Sequence, residues 1–105
     1  RAFLRAVAED ILERGPMALD MKRFIATWSG TRVELTLTEF WMVHALARFP
    51  GHVKNREQLM REANLVVDDD TVTSHMKRIR KKFQAAAPAF DEIETVYGMG
   101  YRWKG

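Results

Sequence analysis

The sequence contains no cysteine. Disulfides and thiolate metal sites are therefore excluded, and a reducing compartment, the cytoplasm, fits. No apolar run approaches the roughly 20 residues that a membrane helix needs, and no signal peptide is visible. The glycines form no phosphate-binding loop, and there is no nucleophile elbow and no clustered His–carboxylate set. Nothing in the residues argues for an enzyme, a metal or a cofactor. Internal repeats and low-complexity tracts are also missing. The chain begins at Arg1 rather than Met, so a fragment with a missing upstream domain is expected.

What is present is an ordinary globular composition, 47% hydrophobic and 30% charged over 105 residues. That suits one domain with a single modest core. The net charge of +3 is a weak signal by itself. Its distribution says more. Residues 1–36 hold six basic and five acidic side chains, residues 37–70 four and six, and residues 71–105 seven and three. The positive charge gathers in the last third, as a nucleic-acid footprint should.

Along the chain, Phe3, Val7 and Ile11 recur at i+4, so residues 1–14 read as a short amphipathic helix ended by Gly15-Pro16. It either packs on the domain or forms the tail of a linker, which sets the boundary at residues 1–16. Residues 17–36 read as a small antiparallel sheet. Ser29-Gly30 marks a hairpin, and Phe24, Ala26 and Trp28 alternate onto one face. Thr36-Leu37-Thr38-Glu39 is a capping box that opens a helix over about 37–48, with Phe40, Val43, Leu46 and Ala47 as its apolar stripe. Off that stripe lie Trp41, His44 and Arg48, read either as ordinary packing or as a contact with a linker or partner domain. Asn55, with Gln58 three residues on, caps a second helix to about Ala63. After a loop at 64–70, Asp69 or Asp70 caps a third helix over about 71–86. Val72, Met76, Ile79 and Phe83 form its core stripe. Two strand-like runs flank Gly98-Met99-Gly100 in residues 93–103, a β-hairpin. The fold class is α+β: a winged helix-turn-helix with a small N-terminal sheet, a three-helix core and a C-terminal wing.

Four motifs carry a family resemblance: LTLTEF at 35–40, FPGHVKNREQLM at 49–60, DDDTVTSHMKRIRKKF at 68–83 and IETVYGMGYRW at 93–103. In this order and spacing the chain resembles, over residues 17–105, the C-terminal DNA-binding domain of OmpR/PhoB-type response regulators. The resemblance implies a bacterial transcription factor of a two-component phosphorelay, with an upstream receiver domain and a sensor kinase. It also implies a monomer as an isolated domain and a dimer on tandem half-sites of double-stranded DNA. A protein-interaction winged helix, or the DNA-binding domain of a membrane-tethered regulator, are the alternatives.

The residues support the site in detail. Thr73, Ser74, Lys77, Arg78 and Lys81 fall away from the core stripe of the third helix. Short hydroxyls near a helix start can approach base edges in a major groove, and Arg suits bidentate recognition of guanine or phosphate. By resemblance, Thr71, Thr73, Ser74, Lys77 and Arg78 match positions that meet DNA, and His75 matches one that approaches phosphate. Arg80 is ambiguous and partly structural. In the wing, Thr95, Tyr97 and Tyr101 match contact positions, and Arg102 and Lys104 add charge, whereas Val96 and Trp103 close the core. Leu65, Val66, Val67 and Asp68 correspond to a loop that can contact RNA polymerase. They either make that patch or pack inward. The chain departs from the family in two places. Asp70 and Tyr97 stand where many members carry Arg. A capping role is preferred for Asp70, and reading of a narrow minor groove by Tyr97 is put in doubt.

Overall fold

Gly15, at φ +57°, and Pro16 form a two-residue turn. This turn joins strand β1, Ile11–Arg14, to strand β2, Met17–Asp20, with Arg14 opposite Met17. The computed structural model describes residues 10–63 and 69–104, the side chains of residues 69–71 excepted. The helix expected over 1–14 is therefore corrected at its end: Ile11–Arg14 is an edge strand, and residues 1–9 lie outside the described residues. The Gly-Pro pair that reads as a helix stop is a hairpin turn.

Asp20 reverses the chain a second time. Its Oδ1 accepts from the amides of Lys22 and Arg23 at 3.0 and 3.1 Å, and its carbonyl accepts from the Phe24 amide at 2.7 Å. Phe24 is left at φ +57°, uncommon for a bulky residue. It does not join the strand face with Ala26 and Trp28. Its ring instead lies edge-on to Phe40 and Trp41 with centroids 5.6 Å apart in each pair. Strand β3, Ile25–Trp28, then turns at Ser29 and Gly30 (φ +49° and +83°) into β4, Thr31–Val33. Positive φ at both turn residues matches the right-handed twist of the strands. The sheet is antiparallel in the order β1-β2-β3-β4.

The capping box at Thr36 forms as expected: Thr36 Oγ1 accepts from the Glu39 amide, and Glu39 Oε1 accepts from the Thr36 amide. Helix α1, Leu37–Ala47, follows. It is buried on more sides than its stripe predicts, because Met42 and Ala45 are also inside. A second box at Asn55 and Gln58 opens α2, Arg56–Glu62. Helix α3 is Asp69–Ala86. Asp69 and Asp70 are thus residues of its first turn and not its cap. Val72, Met76, Ile79 and Phe83 are 0–1% exposed. They meet α1 and an aromatic cluster in which Phe90 stacks on Phe83 and takes the edges of Trp28 and Trp103.

Strands β5, Ile93–Val96, and β6, Gly100–Trp103, form the C-terminal hairpin. The segment before α2 adds a partial third strand: Lys54 and Tyr101 exchange both backbone hydrogen bonds at 2.8 and 2.9 Å. The hairpin is thereby fixed to the helix-turn-helix. No helix among the described residues is long and apolar enough to cross a membrane.

Candidate nucleic-acid interface

Helix α3 is two-sided. Opposite its buried stripe, Ser74, Lys77, Arg78 and Lys81 are exposed and Thr73 is half-buried. This is the outward set that the periodicity of the sequence separates from the core. The side chain of Thr71 and the residues Leu65, Val66, Val67 and Asp68 lie outside the described residues.

Between α3, the start of α2 and the hairpin runs a groove of about 890 Å³, whose lining includes Arg56, Thr73, Lys77, Arg80, Thr95 and Tyr97. Recognition-helix and wing residues far apart in sequence therefore share one concave surface. At the hairpin turn Tyr97 is 91% exposed and Met99 62%.

Three polar side chains, Arg80, Glu39 and His75, support this surface from behind. Arg80 Nη2 donates to the Ile93 carbonyl at 3.1 Å and to Thr95 Oγ1 at 2.7 Å, and its guanidinium lies 5.9 Å from the Tyr101 ring centre. Arg80 ties α3 to the wing. Glu39, 1% exposed, accepts from Lys82 Nζ at 2.5 Å and lies 3.5 Å from Arg78 Nε. Burial opposes ionisation of this carboxyl. The hydrogen bonds from Lys82 and the Thr36 backbone, with the charge of Lys82, outweigh it and hold the group below the usual glutamate range. His75 is half-buried, and its Nδ1 lies 3.0 Å from Arg78 Nη2. Burial and the charge of Arg78 lower the affinity of this imidazole for a proton, against a smaller pull from Glu39.

Two wing residues sit differently from expectation. Tyr101 is only 5% exposed and packs in the core, although it takes part in the groove lining. Arg102 Nε is paired with Glu94 Oε1 at 2.5 Å, so its charge is partly answered within the hairpin. Thr95 holds Arg80. The sequence reading missed the Glu39–Lys82 pair, because its partners are 43 residues apart and nothing local signals it. Trp41, His44 and Arg48 do share a small hollow with Ala45 and Glu62. Trp41 there also makes edge contacts with Phe24, Phe40 and His44, which is packing.

A family model described as "Transcriptional regulatory protein, C terminal" matches residues 30–103. The transcriptional regulatory protein BaeR of Escherichia coli is 39% identical over 92 residues, covering 85% of this chain and 38% of BaeR. The sensory transduction protein RegX3 of Mycobacterium bovis is 34% identical over 115 residues, covering all of this chain and 51% of RegX3. The chain thus spans about half or less of the length of these curated relatives. Among solved structures, the DNA-binding domain of CpxR from E. coli is 30% identical with a TM-score of 0.75, covering 89% of this chain and 94% of that one. The Klebsiella pneumoniae RstA DNA-binding domain, solved in complex with the RstA box, is 26% identical with a TM-score of 0.75, covering 89% and 95%. The matched family is one of transcriptional regulators rather than of enzymes. Motifs, winged-helix fold and relatives agree: this chain belongs to the family of C-terminal domains of transcriptional regulatory proteins, in its OmpR/PhoB-type branch.

Proposed function

We propose that this chain is the sequence-specific, double-stranded DNA-binding domain of a two-component response regulator. The observation that carries the reading is the shared groove. Thr73 and Lys77 from the outward face of α3 line one concavity with Arg56, Arg80 and the hairpin turn, and the RstA domain of like fold was solved in complex with its box. Helix α3 enters the major groove. Thr73 and Ser74 lie near its start, Arg78 takes a guanine, and Lys77 and Lys81 grip phosphate. The wing lies along the backbone, with Tyr97 as its most exposed side chain. Two protomers occupy tandem half-sites about one helical turn apart. An upstream receiver domain, phosphorylated by a sensor kinase, controls this occupancy in the cytoplasm, and Leu65, Val66, Val67 and Asp68 are assigned by family resemblance to a contact with RNA polymerase.

The test is selection of bound sequences from a random duplex pool, followed by titration of the recovered site at several salt concentrations. Affinity should fall with salt at a log–log slope of roughly −0.9 per phosphate contacted. Lys77→Ala should flatten the slope by about one such unit. Arg78→Ala should cost about 1–3 kcal/mol on the selected site and relax preference at one base pair. Failure to retain any duplex at low salt overturns the reading. It would leave the exposed Tyr97 and Met99 as the argument for a protein-binding wing.

A further inference from the structure

The guanidinium of Arg78 is engaged along one edge. Nε faces Glu39 Oε2 at 3.5 Å, and Nη2 faces His75 Nδ1 at 3.0 Å. Nε and one N–H of Nη2 form the side-on edge of the planar fork. Nη1 and the second N–H of Nη2 form the end-on edge, which has no partner among the described residues. The supports are not equivalent. Glu39 is fixed in the core by the Thr36 amide at 2.9 Å and by Lys82. His75 can accept from Arg78 only while its Nδ1 carries no proton.

We propose that Glu39 and His75 are positioning residues for Arg78. They hold its guanidinium side-on, so that the end-on pair of N–H groups meets one guanine, and the hold requires His75 to be neutral. This rests on the DNA-binding reading above and adds how its selectivity is set. A long, free Arg loses rotamer freedom when it binds; one already held on a buried carboxylate loses less. Protonating His75 turns its Nδ1 from acceptor to donor and sets a cation beside Arg78. The charged groups that face His75 are Arg78 and Lys82 on its own helix and Glu39 on α1. Two are cations, and together with burial they keep the ring neutral near neutral pH.

The consequence is a split that a plain phosphate contact does not give. As pH falls through the imidazole range, the added positive charge strengthens binding to any duplex. Over the same range the preference for the selected site weakens.

The experiment uses the 105-residue chain, the duplex recovered by selection and an unrelated duplex of equal length. The ratio of the two affinities is measured from about pH 7.5 to about pH 5, through and below the ordinary imidazole range, because burial and Arg78 lower the proton affinity of His75. In the wild-type chain the ratio should drop while binding to the unrelated duplex rises. His75→Gln keeps an acceptor oxygen and never charges; its ratio should stay near wild type at high pH and lose the pH dependence. His75→Leu should lower the ratio roughly five-fold or more at neutral pH, the lower part of what one bidentate base contact supplies. Adding Arg78→Ala to His75→Leu should lower it no further than Arg78→Ala alone. His44 and His52 are present in every variant and cancel. A His75→Gln chain that keeps the wild-type pH profile, or a His75→Leu chain that folds and keeps the wild-type ratio, overturns the proposal. A wild-type chain that selects no duplex overturns the DNA-binding reading instead, and this proposal with it.

Discussion

Arg80 and Thr95, fifteen residues apart, are joined by a 2.7 Å hydrogen bond from Nη2 to Oγ1 that links the recognition helix to the wing. The same nitrogen also holds the Ile93 carbonyl. Hydrogen bonds to a charged partner contribute about 1.5–3 kcal/mol. Water reaches this one in part, so Arg80→Ala should cost about 1–2 kcal/mol. Thr95→Val should cost about 1 kcal/mol. The double variant should lose less than the sum in urea unfolding, since both singles remove the same bond. Strictly additive losses would show that the two residues act separately.

Gly100 should be the least replaceable glycine of the wing. A Cβ there would stand 2.1 Å from the Lys54 carbonyl oxygen and 2.8 Å from Asn55 Cα, and its φ is +141°. Both obstacles are backbone, so no side chain can move aside. Gly100→Ala should destabilise by at least about 3 kcal/mol, combining strain with overpacking. Gly98 has φ +79° but open space around its Cβ position. Gly98→Ala should cost only about 1–2 kcal/mol, the left-handed penalty alone. Thermal melts of the two variants decide it, and equal losses would refute the argument.

The contrast between these glycines also shows what a sequence can reveal. Gly98 and Gly100 announce a turn between two strand-like runs, and the hairpin is there. The capping boxes at Thr36 and Asn55 and the stripe from Val72 to Phe83 are equally local, and each positions its helix. Ile11–Arg14 was not legible for the opposite reason. Ile11 continues the i+4 repeat of Phe3 and Val7, and a four-residue strand is too short for its own alternation to override that pattern. What decides is pairing with Met17–Asp20 across Gly15-Pro16. Phe24 leaves its strand because Asp20 captures the next amides, a choice between turn and strand that alternation does not encode. In the site, the outward face of α3 followed from periodicity. The grips on Glu39, Arg80 and Arg102 did not, because each partner is brought in by another element or by the hairpin fold.

Glu39 should make stability pH-dependent. Its carboxyl lies below the ordinary glutamate value in the folded chain. The folded state therefore holds the proton less tightly than the unfolded one, and the contribution is complete above the ordinary value of about 4.3. It fades as pH falls through the lower folded value. Glu39→Gln keeps an acceptor for the Thr36 amide but leaves Lys82 without its charge partner. At neutral pH this should cost about 2 kcal/mol, less than the ~3–5 for a fully buried pair because Lys82 and Arg78 keep water. The two stability curves should converge in acid. A constant offset from neutral pH to strong acid would show that Glu39 acts by shape and not by charge.

Arg102 offers a gain-of-function prediction. Its pair with Glu94 is exposed by 40% and 37%, so the pair adds little to stability. Its effect is to answer a positive charge on the hairpin. Glu94→Gln should leave the melting temperature nearly unchanged. It should free Arg102 to approach phosphate, raise affinity at low salt and steepen the salt slope by up to about 0.9. Arg102→Ala should barely alter the slope in the wild-type chain but should remove the gain in Glu94→Gln. The pairing explanation fails if Arg102→Ala alone flattens the slope by a full phosphate contact, because Arg102 would then reach DNA in spite of Glu94.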